Sequence, residues 1–479
     1  MSHDAGETPV DGLVVAALQE AADAGARSLR AGGSAVDAAV ATAFALSVVD
    51  TASCGIGGYG GFLTYAPPSG TPVQVDFNTW VPGRLDASYL RVPGELDTLQ
   101  EGGGSVAPPA VVPGLLAAHE RFGRQPLPDL LRPSIELARD GFPVGRELAR
   151  ALSDHWVRTK GGEPGFAECF YPSGTVPERG SRLVQADLAG TLEAIAREGA
   201  EAFRTGPIVD AICSTVRADG GFLEPADFAE DRISIAPAES VRFESGTVYG
   251  PPRATSGTGV LFSALSHVDP AKLGRNRERA YISELARALT LAWHERSRAA
   301  LAALNANHTT HLCASDGDGG LASLTFTHGP RRFGSGLVAP GTGIVLNSGL
   351  NLFAPTVSGP LAVTNMAPVI VVDEQGSRHA VGSVGGPRIP GIILTAVVDV
   401  LHYGSSIAAA IAAPHLSVRV TDDVLELEAE LLPALGLDGA GRTLVAGVSF
   451  GATSGITHTP RGSLAGADPR FESGVAAGS

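Results

Sequence analysis

One stretch near the middle of this chain constrains its fold more than any other. Two runs rich in apolar and β-branched residues, Thr309–Ser315 and Leu321–Thr327, flank a turn through Gly317–Gly320. Such runs on both sides of an Asp/Gly-rich turn are typical of a β-hairpin. We therefore predict two adjacent antiparallel strands here, with a threonine at the start of the first one.

A threonine at a strand start is by itself an ordinary β residue. Thr309 acquires chemistry only if the peptide bond before it is cut. It would then carry a free α-amino group with a pKa of about 7.7–8.0. That amine could take the proton of the threonine's own hydroxyl, which is how a terminal threonine becomes a nucleophile.

Length and composition favour a compact enzyme. The 479 residues are 44% apolar, which is enough for one large domain or two ordinary ones with a substantial core. Few charged residues (18%) together with 61 glycines and 33 prolines argue against a disordered or fibrous chain. A formal net charge of −15 argues against a nucleic-acid partner.

The cysteines and the N-terminus bear on the compartment. Cys54, Cys169, Cys213 and Cys313 show no C-x-x-C spacing, so we predict free, mostly buried thiols and no metal site. Met1–Pro9 lacks the basic start and apolar core of a signal peptide. No apolar run reaches membrane-spanning length. We therefore expect a cytoplasmic protein with no membrane partner.

The first hundred residues contain further regular patterns. Apolar spacing predicts helices over Val14–Leu29 and Ala35–Val48, and the second is apolar all round, which is typical of a buried helix. Phe62–Tyr65 and Pro72–Phe77 are predicted to form paired strands across a Pro/Gly turn. We find neither an internal repeat nor an interdomain linker.

Several glycine-rich motifs accompany the hairpin. They are Gly32–Ala41, Cys54–Phe62, Pro340–Asn347 and Val381–Ile389. Together with Thr309-Thr310-His311 they resemble, in order and spacing, the γ-glutamyltranspeptidase family, and the resemblance covers nearly the whole chain. Members of that family are N-terminal nucleophile hydrolases, made as one chain that cuts itself before such a threonine.

The resemblance implies an architecture and a set of partners. It implies an α+β fold, the four-layer αββα sandwich with two central antiparallel sheets. It implies a large subunit of residues 1–308 and a small subunit of residues 309–479, intertwined in one domain. The implied partners are a small-molecule substrate and the chain's own cleaved fragment, in a heterodimer whose further dimerisation stays open. No metal and no organic cofactor is implied.

The catalytic residues are carried over from the family motifs. By resemblance, the hydroxyl of Thr309 first attacks the carbonyl of His308, which frees the amine, and later attacks the substrate carbonyl. Thr327 matches a threonine that is hydrogen-bonded to the nucleophile. Gly385 and Gly386 match the glycine pair whose backbone N–H groups form the oxyanion hole.

The matched substrate-binding positions depart from the family pattern. Asn78 replaces the arginine that binds the glutamyl α-carboxylate, and Leu352 replaces the aspartate that pairs with the α-ammonium. A zwitterionic group in a desolvated pocket needs both opposite charges. Gly329 also lies where the family has an asparagine. The other predicted substrate-binding residues are Asn347, Gly349, Thr364 and Asn365, with Gly349 in place of an amide or acid and Thr364-Asn365 in place of two serines.

We therefore favour an autoprocessing threonine hydrolase or acyltransferase whose substrate is not a γ-glutamyl amide. One branch resembling this family acts in 4-alkyl-proline antibiotic biosynthesis, where a C–C bond to an oxalyl-type side chain is thought to be cleaved. The composition and the missing signal peptide fit that branch. The alternatives are a γ-glutamyl hydrolase or transferase, an oxamate-type amidohydrolase, and an inactive homologue kept as a binding protein.

Overall fold

The computed structural model describes residues 9–86, 101–229, 232–296, 308–356, 359–419, 421–435, 443–448 and 450–478. Their strands are β1 (Leu13–Ala16), β2 (Gly60–Ala66), β3 (Val73–Asp76), β4 (Phe142–Pro143), β5 (Arg182–Leu183), β6 (Ser234–Pro237), β7 (Glu239–Phe243), β8 (Gly246–Gly250), β9 (His308–Ser315), β10 (Leu321–Gly329), β11 (Val338–Ala339), β12 (Ile344–Val345), β13 (Phe353–Thr356), β14 (Gly359–Ala362), β15 (Val369–Asp373), β16 (Arg378–Ser383), β17 (Leu416–Arg419), β18 (Val424–Leu427), β19 (Thr443–Ala446), β20 (Thr453–Thr459), β21 (Gly462–Ala467) and β22 (Gly474–Ala477). Their α-helices are α1 (Gln19–Arg30), α2 (Ala35–Val49), α3 (Val111–Phe122), α4 (Leu127–Asp140), α5 (Arg146–Thr159), α6 (Pro164–Phe170), α7 (Ala186–Glu198), α8 (Pro207–Ala218), α9 (Thr258–His267), α10 (Arg279–Glu295), α11 (Ile389–Leu401), α12 (Ile407–Ala412) and α13 (Leu432–Leu435).

Two antiparallel sheets form the centre of the molecule. The first sheet has the order β22-β1-β9-β10-β2-β3-β6, and the second has the order β21-β20-β16-β15-β8-β7. Each sheet combines strands that precede Thr309 with strands that follow it. The predicted hairpin is therefore confirmed as β9 and β10, at the middle of the first sheet.

Side-chain alternation along the strands assigns each face of a sheet to a layer. In β1, Val14 and Ala16 pack with helices α1 to α4 and α7. Leu13 and Val15 pack instead against Ile370 of the second sheet. The outer face of the second sheet packs against α9 to α12. Successive strand residues point to opposite faces of a sheet. Each sheet therefore packs against helices on its outer face and against the other sheet on its inner face. The predicted four-layer αββα fold is confirmed.

Helix α2 is buried along its whole length, as its sequence predicts. Ser34 caps its first turn, accepting a hydrogen bond from the Asp37 backbone N–H, while the Asp37 carboxylate accepts one from the Ser34 backbone N–H. This reciprocal capping box satisfies two of the free donors at a helix start. The helix ends at Val49 and Asp50 caps it, so a carboxylate lies at the C-terminal end of a helix that has no polar face.

The predicted helix over Val14–Leu29 is wrong in its first third. Residues Leu13–Ala16 form β1, which pairs with β22 on one side and β9 on the other. The helix begins only at Gln19. An Ala/Val/Leu-rich run suits either structure locally, and here the sheet pairing with distant strands decides.

The two sheets approach each other closely where His311 of β9 faces Gly382 of β16. A Cβ atom on Gly382 would lie 2.3 Å from Cε1 of His311, so only glycine fits there. His311 is buried and its Nδ1 shares a hydrogen bond with Thr325 Oγ1 at 2.8 Å. This contact fixes how β9 lies over β16.

None of the helices in the described ranges is long and apolar enough to cross a membrane.

Candidate active site

Thr309 is the second residue of β9 and lies at the end of the first sheet. It shares a face of the strand with His311 and Cys313, because strand side chains alternate. That face is turned toward the second sheet, where Cys313 Sγ lies 3.7 Å from the Ser454 carbonyl oxygen. The Thr309 side chain is buried, with 8% of its surface exposed. The Thr309 hydroxyl therefore points into the space between the two sheets.

Thr327 lies on the neighbouring strand beside Thr309. The β9–β10 register runs regularly to Phe326 opposite Thr310 and then shifts, so that Gly329 is opposite His308. The Thr327 hydroxyl accepts a hydrogen bond from the Gly329 backbone N–H at 3.0 Å. A bulge of this kind re-aims a side chain next to a site. The structure therefore brings the two predicted threonines together.

The predicted oxyanion turn also lies at this end of the sheets. Val384 directly follows β16, two residues after Gly382, and borders the same cavity as Thr309. Gly385 and Gly386 follow with φ of +130° and +60°, conformations that favour glycine. In the described part of the chain, no acceptor receives their backbone N–H groups.

A charged pair anchors the turn behind these glycines. Arg388 Nε and Nη2 donate to Glu426 Oε2 and Oε1 at 2.8 and 3.1 Å. Both side chains are largely buried. A two-point hydrogen-bonded pair of this kind gives geometric specificity as well as energy. Arg388 therefore fixes the orientation of the turn without lining the cavity.

Asn78 lies two residues after the end of β3. Its backbone N–H and its Nδ2 both donate to Asp76 Oδ1, at 3.0 and 2.9 Å. Its Oδ1 is buried and receives no hydrogen bond from the described residues. Burial raises the pKa of Asp76, and the hydrogen bonds from Asn78 act against that rise. This position therefore presents an amide beside a carboxyl group, where the matched motif has an arginine.

Asn347 is held by the main chain. Its Oδ1 accepts from the N–H groups of Ala107 and Gly349 at 3.0 and 2.9 Å. Its Nδ2 donates to the carbonyls of Gly57 and Ala107 at 2.9 Å each. Both halves of the amide are thus engaged, which gives Asn347 a structural role. A substrate contact for Asn347 and Gly349 stays a prediction.

Leu352 lies in a small apolar cluster with Tyr59, Phe62 and Met366. All four side chains are buried. The space that a glutamyl α-ammonium would need beside an acid is therefore lined by hydrocarbon. Burial without a charged partner makes such a place unfavourable for an ammonium group.

Thr364 and Asn365 bind an arginine that the sequence analysis did not single out. Arg296 Nη1 donates to Asn365 Oδ1 at 3.1 Å, and its Nη2 donates to the Thr364 carbonyl at 2.7 Å. Its guanidinium also lies 5.5 Å from the centre of the Trp293 ring. Burial lowers the pKa of Arg296 to about 10, so it stays charged at neutral pH. Arg296 follows an ordinary amphipathic helix, and no local motif distinguishes it.

Thr309 borders a cavity that is lined by a different set of residues from those matched to substrate binding. A cavity of about 570 Å³ is bordered by Thr309, Thr310 and His311 and by Val384 and Ala452 from the second sheet. Its other lining residues include the mainly apolar set Val49, Asp50, Ala52, Phe142, Val144 and Leu148, and the charged residues Glu20, Glu147, Arg179, Arg332 and Glu472. None of the six predicted substrate-binding residues borders this cavity. The structure thus separates the predicted nucleophile's cavity from the positions matched to glutamyl recognition.

Of the described residues, Asp50 is one of four acids that border this cavity, together with Glu20, Glu147 and Glu472. Burial raises the pKa of Asp50 to about 7, while the Ser53 and Thr310 hydroxyls and the positive charge on Arg332 act against the rise. Arg332 itself lies 3.4 Å from Asp154 and 3.7 Å from Glu147. The sequence offered no signal for Asp50, because only the fold places the end of α2 beside β9.

Comparisons with known proteins identify the family and support the fold. The family model for γ-glutamyltranspeptidase matches residues 21–302 and 297–478. Acylase ACY 1 proenzyme of Pseudomonas sp. (strain V22) is 31% identical, over 95% of this chain and 91% of its own. Cephalosporin acylase from Bacillus halodurans has a TM-score of 0.86 at 24% identity, covering 100% of this chain and 97% of its own. LmbA2991T421A has a TM-score of 0.88 at 18% identity, covering 99% and 100%.

Fold and site together define an N-terminal nucleophile enzyme of the hydrolase and acyltransferase class. Within that class, the chain belongs to the γ-glutamyltranspeptidase family.

Proposed function

We propose that this chain cuts itself between His308 and Thr309 and then acts as a threonine hydrolase or acyltransferase on a substrate other than a γ-glutamyl amide. One observation carries the substrate part of this proposal. The cavity at Thr309 is lined by Asp50 and Phe142, whereas Asn78 and Leu352 do not border it. A substrate bound there does not use the positions matched to the glutamyl group.

The catalytic cycle follows from the residues around the cavity. The free α-amine of Thr309 takes the proton of its own hydroxyl as the oxygen attacks the substrate carbonyl. The N–H groups of Gly385 and Gly386 stabilise the resulting oxyanion, and one such donor is typically worth about 10²–10³ in kcat. The protonated amine returns its proton to the leaving group. Water then hydrolyses the ester and regenerates Thr309.

The leaving group decides which bond is cut. An amide nitrogen can leave once it is protonated. A carbon can leave only if its negative charge is delocalised into a neighbouring enamine or carbonyl. We propose the second case, release of an oxalyl-type acyl group by C–C cleavage, as in the 4-alkyl-proline branch. The mainly apolar wall of the cavity supports a hydrocarbon-rich leaving group.

The test compares the wild-type chain with Thr309→Ala. The wild type should separate on denaturing electrophoresis into residues 1–308 and 309–479, with a new N-terminal threonine by mass spectrometry. Thr309→Ala should stay whole. A purified wild type that remains one uncut chain overturns the proposal and leaves the binding homologue.

A second candidate function has one observation in its favour. Arg296 supplies a positive charge next to Thr364 and Asn365, on a different element from the expected arginine. A γ-glutamyl α-carboxylate could use it. Turnover of a γ-glutamyl anilide by the cleaved protein, lost in Arg296→Met, would support this second function. We expect no turnover with either protein.

A further inference from the structure

Self-cleavage needs a proton acceptor that the mature enzyme does not need. Before the cut, the nitrogen of Thr309 is part of a peptide bond and cannot act as a base. The hydroxyl proton must then go to another group near Thr309. This question rests on the proposed function, because it arises only if the chain processes itself.

His311 and Thr327, which β9 and β10 place near Thr309, are poor acceptors of its hydroxyl proton. Both ring nitrogens of His311 are engaged, Nδ1 with Thr325 Oγ1 at 2.8 Å and Nε2 with Cys313 Sγ at 3.2 Å. Burial lowers the pKa of His311 to about 3, which makes the ring a weak base. Thr327 carries only a neutral hydroxyl. A carboxylate is required from elsewhere in the cavity.

Asp50 is placed for this role by the end of α2. It borders the cavity that Thr309 borders, and its carboxyl group lies beside the hydroxyl of Thr310, the next residue of β9. The turn after it is fixed, because the Asp50 carbonyl accepts from the N–H groups of Ser53 and Cys54 at 2.9 and 3.1 Å. Across the described ranges, no cation lies within ion-pair distance of its carboxylate. The carboxylate thus borders the cavity with the hydroxyls of Ser53 and Thr310 as its polar neighbours.

We propose that Asp50 accepts the Thr309 hydroxyl proton, through a water in the cavity, when Thr309 attacks the carbonyl carbon of His308. The oxygen–carbon bond forms while the proton moves to the Asp50 carboxylate. The carbon–nitrogen bond then breaks as that proton passes to the nitrogen of Thr309. Water adds to the ester, leaving a carboxylate on His308 and the hydroxyl and amine on Thr309.

The environment of Asp50 suits proton transfer near neutral pH. Burial raises its pKa to about 7, where a general base is most effective. The titratable and charged groups that face the cavity or Asp50 are Glu20, Cys54, Glu147, Arg179, His311, Arg332 and Glu472. His311 and Cys54 are held neutral by burial, so the charge on Asp50 changes independently of them.

The experiment follows cleavage of freshly synthesised full-length chain by electrophoresis over a range of pH. In the wild type, the first-order rate should rise about tenfold per pH unit below pH 7 and level off above it. Asp50→Asn should cleave at least about 100-fold more slowly and lose this inflection. Asp50→Glu should recover part of the rate with the inflection retained.

The matched control is Asp154→Asn, which removes an exposed carboxylate near Arg332 that does not border the cavity. It should keep the wild-type rate and pH profile. The inference is overturned if Asp50→Asn cleaves at the wild-type rate. It is also overturned if the pH profile of the wild-type rate has no inflection near pH 7, and this second result does not depend on whether the variant folds. A wild type that never cleaves overturns the proposed function instead.

Discussion

At the scale of single residues, the sheltered carboxylate of Asp50 has a measurable effect on stability. Its pKa in the folded protein is raised from 3.8 to about 7. The unfolded chain therefore loses this proton at lower pH, so stability falls as pH rises from about 4 to about 7. Above about pH 7 the folded state bears the full free-energy cost of an ionised, buried Asp50 carboxylate.

We accordingly expect Asp50→Asn to stabilise the protein at alkaline pH. In a Thr309→Ala background, where every sample is one chain, the gain should be roughly 2–4 kcal/mol at about pH 8 and smaller at about pH 5. Urea denaturation at both pH values measures it. Asp154→Asn, whose side chain is 64% exposed, should show no such pH-dependent gain. Equal stability of Asp50→Asn and its parent at both pH values would contradict the prediction.

Asn347 gives a second prediction at this scale. Its amide makes four hydrogen bonds to the main chain of three segments. Asn347→Ala should cost about 2–4 kcal/mol, because buried backbone groups lose their partners. Asn351→Ala is the matched control, since Asn351 Oδ1 has no hydrogen-bond partner among the described residues. Urea midpoints that fall equally in both variants would show that the four hydrogen bonds contribute nothing specific.

At the scale of elements, the contact between β9 and β16 depends on a missing side chain. Gly382→Ala places a methyl group against the His311 ring, so the sheets must separate or His311 must turn. Overpacking of this kind costs about 1–3 kcal/mol. We expect lower stability together with slower self-cleavage, because Thr309 and Val384 move apart. Thermal unfolding and electrophoresis measure the two effects.

A glycine in open space provides the control. Gly190 lies within α7, and a Cβ atom there meets nothing within 4 Å. Gly190→Ala should raise stability by about 0.4–1 kcal/mol and leave cleavage unchanged. If Gly382→Ala behaved like Gly190→Ala, the close approach of the two sheets would not limit the site.

The sequence predicts local elements better than it predicts the cavity. The Asp/Gly turn between β9 and β10 and the all-apolar helix α2 are local signals, and both appear as expected. Strand β1 was predicted as helix because its identity depends on pairing with residues 312–315 and 474–477. The cavity joins α2, the segment between α4 and α5, and the C-terminal region, so no local pattern could have placed Asp50 beside Thr309.

At the scale of the whole molecule, a cut before Thr309 should not release two bodies. Both sheets contain strands from each side of that bond. Separation would expose open strand edges and the core between the sheets. We expect the fragments to co-elute as one heterodimer in size-exclusion chromatography and to separate only in denaturant, whereas elution as two species would contradict the intertwined arrangement. Thr309→Ala supplies the uncut reference.

The pairing of β1 with both β9 and β22 makes the sheet beside the predicted cut depend on a strand that is synthesised much later. β1 lies between the strand that begins at His308 and the strand that ends at Ala477. A growing chain in which β22 has not yet been made therefore carries an unfinished sheet next to the predicted scissile bond. We expect self-cleavage to begin only after β22 has been made and has paired with β1.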